Sequence, residues 1–266
     1  MPINIMLEDH TGNNSRPARM DEKASVAALI PAIITALKLP LMDNAGRPMT
    51  YHLSHAGRRL QENETLITAE VQPGDTLTIV PEMTAGASRE AGPGLVELGG
   101  VVCRVQPIAG FPMRPYKVVA RGAHVQVTLA SSAWKQIWRQ AADETSCEIG
   151  GILIGKVYQE KEQFLVRVLG ALPATHTHAG AAFVTFTAQT WLSILAQRRR
   201  TPGLAVLGWY HSHPGMGIFL SASDEFIHRN YFVDQPWYLA LVVDPVSGNW
   251  GTFSWAQGNI QACRPC

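Results

Sequence analysis

The chain has 266 residues, 46% of them apolar, with a formal net charge of +1 and a sequence pI of about 7.8. That length holds one large or two ordinary domains with a buried core, and the balanced charge leaves no basic surplus for electrostatic binding of nucleic acid. The opening MPINIMLEDHTG has no basic region ahead of an apolar one, and the longest apolar tract, Ala24 to Leu37, falls short of the roughly 20 residues of a membrane span. No membrane role and a cytoplasmic location are therefore expected.

In chain order, Ile3, Ile5 and Leu7 alternate as in a half-buried strand, and Thr11-Gly-Asn-Asn14 supplies a turn. Ser25 is placed to cap a helix carrying Val26, Leu29, Ile30, Ile33 and Leu37 at helical spacing, with Pro31 tolerable only in its first turn or at a kink. Tyr51 to Leu53 and Thr76 to Val80 read as short strands, the second preceded by the turn Pro73-Gly74-Asp75. Residues 1–82 thus form one unit. Its element order, and the segment YHLSHAGRRLQENETLITAEVQPGDTLTIVPE with Leu60, Leu66, Val71, Gly74, Asp75 and Leu77, resemble the beta-grasp fold of ubiquitin-like proteins. That likeness implies a binding module rather than a conjugated tag.

Residues 83–115 are rich in Gly, Pro and Ala without periodicity and read as a linker. It contains Gly99-Gly100, read as two linker glycines, with self-processing there left open. The second unit, 116–262, mixes strands and helices: a strand at Val125 to Leu129, a helix begun by Ser131 or Ser132 with Trp134, Ile137, Trp138 and Ala141 on one face, and strands at Ile149 to Ile154, Phe164 to Leu169 and Phe183 to Phe186. A helix from Ala188 to Arg199 ends in basic residues that suit its negative pole. Leu204 to His211 and Tyr238 to Val243 are apolar strands, and Ser221 begins a helix between them. The whole is expected to be α+β.

The four cysteines, Cys103, Cys147, Cys263 and Cys266, are too sparse for a disulfide framework. Cys263 and Cys266 have CxxC spacing but no second pair for zinc and no strand-helix setting for redox chemistry. Cys147 is expected to pack in the interior.

The chemistry concentrates in GWYHSHPGMGIFLSASDEF, Gly208 to Phe226. Residues two apart on a strand share a face, so His211 and His213 aim at one point, which is half a zinc site. Ser221 and Asp224 fit a capping box at a helix start, and the same Asp224, brought back by the loop from Pro214 to Leu220, would serve as a third ligand. Three protein ligands leave tetrahedral zinc a position for water, and a hydrolase then needs a base. Glu148, in CEIGGILIGKV at the mouth of an apolar strand, is the candidate, with an exposed strand-end carboxylate as the plain alternative. His176 and His178 also alternate but lie in an expected loop with no acid or cysteine nearby, which favours a rim position.

Together, a glutamate followed by Gly151, Leu153 and Gly155, then His211-Ser-His213-Pro214 with Ser221 and Asp224, resemble the JAMM (MPN-plus, JAB) zinc metalloprotease family over about half the chain, as does ALVVDPVSGNWGTFSW. The resemblance implies a mixed-sheet domain of the deaminase-like type and one zinc held by His211, His213 and Asp224. It implies that Glu148 is general base and acid, and that Ser221 stabilises the oxyanion and orients Glu148. It also implies hydrolysis after the C-terminal glycine of a ubiquitin-like protein or its conjugate, and leans towards a bacterial conjugation-like pathway whose activating or conjugating enzymes would be partners. A non-catalytic scaffold is the alternative. A zinc deaminase would expect H-x-E and P-C-x-x-C, which do not stand here in that order.

Overall fold

The structure, a computed structural model, describes residues 2–86, 106–107, 118–175, 177–180 and 183–266. Its first sheet is built from β1 (Pro2–Glu8), β2 (Ser15–Asp21), β3 (Tyr51–His55), β4 (Arg58–Arg59) and β5 (Thr76–Pro81), with α1 (Val26–Leu37) across it. The order is β2-β1-β5-β3-β4, and β1 runs parallel to β5 in the centre. Ile5 and Leu7 point inward with Leu53, Leu77 and the buried side of α1, Val26, Leu29 and Ile33. Ser25 caps α1 by accepting the Ala28 N–H at 3.3 Å. Pro31 lies in the second turn, not the first. This arrangement is the beta-grasp fold.

β6 (Met83–Gly86) and β7 (Gln106–Pro107) fall within the stretch expected to be an unstructured linker. Both are too short to signal a strand on their own, and each pairs with a distant strand. The rest of that stretch, with Gly99 and Gly100, lies outside the described residues.

The second domain follows as β8 (Val118–Arg121), β9 (Val125–Leu129), α2 (Ser131–Asp143), β10 (Gly150–Glu160), β11 (Gln163–Pro173), β12 (His178–Gly180), β13 (Phe183–Phe186), α3 (Ala188–Arg199), β14 (Ala205–Ser212), α4 (Ala222–Tyr231), β15 (Leu239–Asp244), β16 (Asn249–Ala256), β17 (Asn259–Ala262) and β18 (Arg264–Pro265). Its mixed sheet has the path β17-β16-β15-β14-β10-β11-β9-β8-β18, with β7 beside β10. β10 and β14 pair antiparallel and β14 and β15 parallel, which puts the ends of β14 and β15 beside the start of β10. At α2 the capping residue is Ala130, whose side chain makes no bond, and both Ser131 and Ser132 are already helical. Cys147 is half-buried rather than interior, Cys263 is buried and Cys266 exposed, all as free thiols.

The two domains are packed on each other. Asn13 in the β1–β2 turn donates to the Val206 carbonyl at 2.8 Å and to the Tyr238 hydroxyl at 3.0 Å, and accepts the Val206 N–H at 3.1 Å. His10 inserts edge-on among Trp191, Tyr231 and Phe232. β6 joins β12 and β13 as a three-stranded sheet. No helix among the described residues is long and apolar enough to cross a membrane.

Candidate metal centre

The sheet register assembles the site. Gly150 pairs with His211, the Ser212 N–H reaches the Ile149 carbonyl at 2.9 Å, and Ile149 N–H donates to Ser212 Oγ at 3.0 Å. One further step of that antiparallel register brings Glu148 opposite His213, with Glu148 Oε1 and His213 Nε2 4.0 Å apart. The parallel neighbour fixes the same end, since the His213 N–H donates to the Val243 carbonyl at 2.9 Å.

Asp224 arrives from α4. Ser221 is its N-cap, and the capping box is complete: Ser221 Oγ accepts the Asp224 N–H at 3.1 Å while Asp224 Oδ2 accepts the Ser221 N–H at 2.7 Å. The same Oδ2 stands 3.3 Å from His211 Nε2 and 3.6 Å from His213 Nε2, and the two Nε2 atoms are 3.0 Å apart. Glu148, His211, His213 and Asp224 are all at 0% exposure.

Two partners not anticipated from the sequence hold the histidines in place. His213 Nδ1 donates to the Gly217 carbonyl at 3.3 Å, which leaves its Nε2 with a lone pair facing inward. Asp244 accepts N–H groups from Gly215 at 2.9 Å, Gly217 at 3.1 Å and Val246 at 2.9 Å, and so clamps the loop that carries that carbonyl. A sequence signal for it existed, an Asp followed by Pro-Val-Ser-Gly at a strand end, which is turn chemistry. On the other side, the Trp209 indole stacks on His211 at 4.6 Å and 11°.

Burial acts on these groups in opposite ways. Burial and the charge of Asp224 push the Glu148 carboxyl up to about 8. Burial also works against ionisation of Asp224, but the attraction of His211 and hydrogen bonds from His211, His213 and Ser221 outweigh it and hold that carboxyl well below its usual range. Burial lowers His211, against the pull of the Asp224 charge; a neutral imidazole and an ionised carboxylate are the forms that ligate a metal.

The residues fit zinc. His211, His213 and Asp224 each offer one ligand atom, all within 4.8 Å of one another. Zinc bonds of about 2.0–2.1 Å in a tetrahedron place ligand atoms roughly 3.3 Å apart, which matches the observed 3.0, 3.3 and 3.6 Å. Both Glu148 oxygens are buried without a hydrogen-bond partner among the described residues. His178 opens β12 instead of lying in a loop, and His176 is outside the described residues.

A beta-grasp domain packed on a mixed sheet that presents a His-x-His pair and a helix-borne aspartate is the layout of a ubiquitin-like module joined to a JAB-type domain. Residues 130–256 match the family described as prokaryotic homologs of the JAB domain, and residues 4–79 match the family described as WXG100 protein secretion system (Wss), protein YukD. Residues 130–256 are accordingly a JAB/MPN-type domain, preceded by a YukD-type ubiquitin-like domain at residues 4–79. Among curated proteins it is 34% identical over 127 residues to COP9 signalosome complex subunit 5 of Eremothecium gossypii, covering 45% of this chain and 28% of that protein. It is 30% identical over 122 residues to 26S proteasome regulatory subunit rpn11 of Schizosaccharomyces pombe (45% and 38%), and 27% identical over 126 residues to NAD(+) hydrolase TcpA of a Theionarchaea archaeon (47% and 36%). The matched region thus spans 28–38% of the length of these relatives.

Proposed function

We propose that this protein is a zinc-dependent hydrolase that cleaves the peptide or isopeptide bond after the C-terminal glycine of a ubiquitin-like protein, acting in the cytoplasm of a bacterium. The observation that carries the reading is the convergence of two imidazole nitrogens and one carboxylate oxygen on one point, with the unpaired Glu148 carboxyl beside it. The JAB family and the ubiquitin-like companion supply the substrate class.

His211 Nε2, His213 Nε2 and Asp224 Oδ2 would hold the zinc. When bound, zinc would supply Lewis acidity for a carbonyl oxygen and for a water. Glu148 would take a proton from the attacking water and return it to the departing amine nitrogen, a relay served by a carboxyl whose pKa lies near neutrality. Ser221 donates its hydroxyl hydrogen bond to the oxygen on which negative charge develops.

The test is zinc content of purified wild type, His211→Ala and Glu148→Ala, each then incubated with a ubiquitin-like fusion through a diglycine. Zinc retained in wild type and Glu148→Ala, reduced in His211→Ala, and cleavage by wild type alone is the expected pattern. A wild type that holds no zinc and cuts nothing when zinc is supplied would leave the scaffold reading in its place. Consumption of NAD is followed in parallel, because one relative is named for it.

A further inference from the structure

We propose that β6 is an intramolecular competitor for the groove that guides a substrate's tail into the metal centre, so that the ubiquitin-like domain holds its own catalytic domain closed to partners in trans. The inference rests on the hydrolase reading for the identity of the partner, but not for the competition itself.

The path of the segment carries the argument. Pro81, the last residue of β5, pairs with Tyr51, whose hydroxyl lies 3.0 Å from that of Tyr231 at the C-terminal end of α4. Met83 and Thr84 then line a cleft together with Phe226 and Ile227 in the middle of α4. The chain leaving the ubiquitin-like fold therefore runs along α4 from its last turn towards its first, where Ser221 and Asp224 stand. On the opposite flank β6 pairs antiparallel with β13, Met83 opposite Phe186 and Gly86 opposite Phe183. The groove also adjoins the site: the Phe186 ring rests on Gly150, where an added Cβ would come within 3.0 Å, and Gly150 is the register partner of His211.

An edge strand beside a helix receives a peptide by strand addition, in which main-chain hydrogen bonds give affinity and little sequence is read. Any extended tail emerging from a beta-grasp domain meets that requirement. Here the tail in place is the chain's own, and its buried Ala85 and Met83 fit the space closely. A tethered segment acts at an effective concentration on the order of millimolar, so it outcompetes a free tail of modest affinity. Access in trans then requires β6 to leave β13.

The experiment uses the full chain carrying Thr84→Cys and Thr185→Cys. These residues are directly opposed in the β6–β13 ladder and their hydroxyls are 2.9 Å apart, a placement suited to a disulfide. A second variant, Ala85→Arg, puts a large charged side chain where the structure has no room and releases β6. The probe is a fluorescent ubiquitin-like protein ending in diglycine, its binding read by anisotropy on metal-free protein, with oxidised wild type as the control for the native cysteines. The oxidised pair should bind the probe at least tenfold more weakly than the reduced pair, and Ala85→Arg at least tenfold more tightly than wild type. Equal binding by oxidised and reduced forms, binding by a folded Ala85→Arg no better than by wild type, or no binding by any form, overturns the proposal. Binding that follows the lock while no form cleaves a diglycine fusion with zinc present sustains the competition and removes the hydrolase reading. Cleavage that ignores the lock does the reverse.

Discussion

Replacing Asn13 with alanine tests whether the ubiquitin-like domain is held as a fixed part of the structure. β15 begins at Leu239, opposite Gly208, so on that side of β14 the backbone of Val206 has no strand partner among the described residues. The Asn13 amide substitutes for one, giving a donor to the Val206 carbonyl at 2.8 Å and an acceptor to its N–H at 3.1 Å, with a third bond to Tyr238 at 3.0 Å. Val206 is at 0% exposure. Each net hydrogen bond contributes about 0.5–1.5 kcal/mol, and each buried backbone group left without a partner costs about 1–3 kcal/mol. Water entering behind the truncated side chain recovers part of this, so roughly 2–4 kcal/mol is the expected loss. In a domain of this size, that corresponds to a fall in Tm of about 5–10 °C. Calorimetry reads the Tm, and hydrogen exchange at the Val206 amide reads the local opening. Asn13→Asp keeps the shape and the acceptor for the Val206 N–H and for Arg198 but cannot donate to the Val206 carbonyl, so it should still destabilise if hydrogen bonding decides, and be near neutral if packing does. Unchanged melting and unchanged Val206 exchange in Asn13→Ala would refute the reasoning.

Burial lowers His10 to about 3, so between its unfolded value near 6.5 and about 3 only the unfolded chain gains the proton, and wild type loses up to about 1.4 kcal/mol per pH unit on acidification. His10→Phe should flatten that part of the stability curve; denaturant titrations of both proteins from pH 7 to pH 4 that stay parallel would contradict it. Gly208 has φ of +136° and an added Cβ would stand 1.9 Å from the Leu239 carbonyl oxygen. Gly208→Ala should therefore cost more than about 3 kcal/mol by parting β14 from β15, and thermal melting within a few degrees of wild type would count against the register. Asp244→Ala should free the loop that holds Gly217 against His213 and weaken zinc binding by about 10–100-fold, as measured by competition with a chromophoric chelator; an unchanged zinc Kd would show that the loop does not orient the ligand.

The histidine pair was legible because a strand has a period of two, and a His-Ser-His run at the end of an apolar tract reports its own geometry. Asp224 was legible twice over, as a cap and as a carboxylate brought back to the histidines, because both need the first turn of α4. Glu148 carried no such local signal. It sits 63 residues before His211 and reaches the site only through the β10–β14 register, so the residues alone left it even with an exposed strand end, and family resemblance pointed to it. The interface was illegible for a related reason. His10 and Asn13 belong to a polar turn that by composition belongs in water, and both are engaged only because a second domain packs over them. β6 is the extreme case: Met-Thr-Ala-Gly is too short for its alternation to signal a strand, and it becomes one because β13 offers an edge.

The two buried carboxyls of the site show how one enclosed cluster holds identical groups in different protonation states. Asp224 is tied at the positive end of a helix by the Ser221 N–H and faces two imidazoles, so the fold stabilises its anion before any ion arrives. Glu148 is as fully enclosed but has no hydrogen-bond partner among the described residues, and the nearby Asp224 anion opposes its ionisation. A carboxylate prepared as an anion suits a ligand, and one held near neutrality suits a group that takes up a proton and gives it back. The capping box is therefore more than an end to a helix: by fixing Asp224 in its charged form, Ser221 also sets the field in which Glu148 titrates.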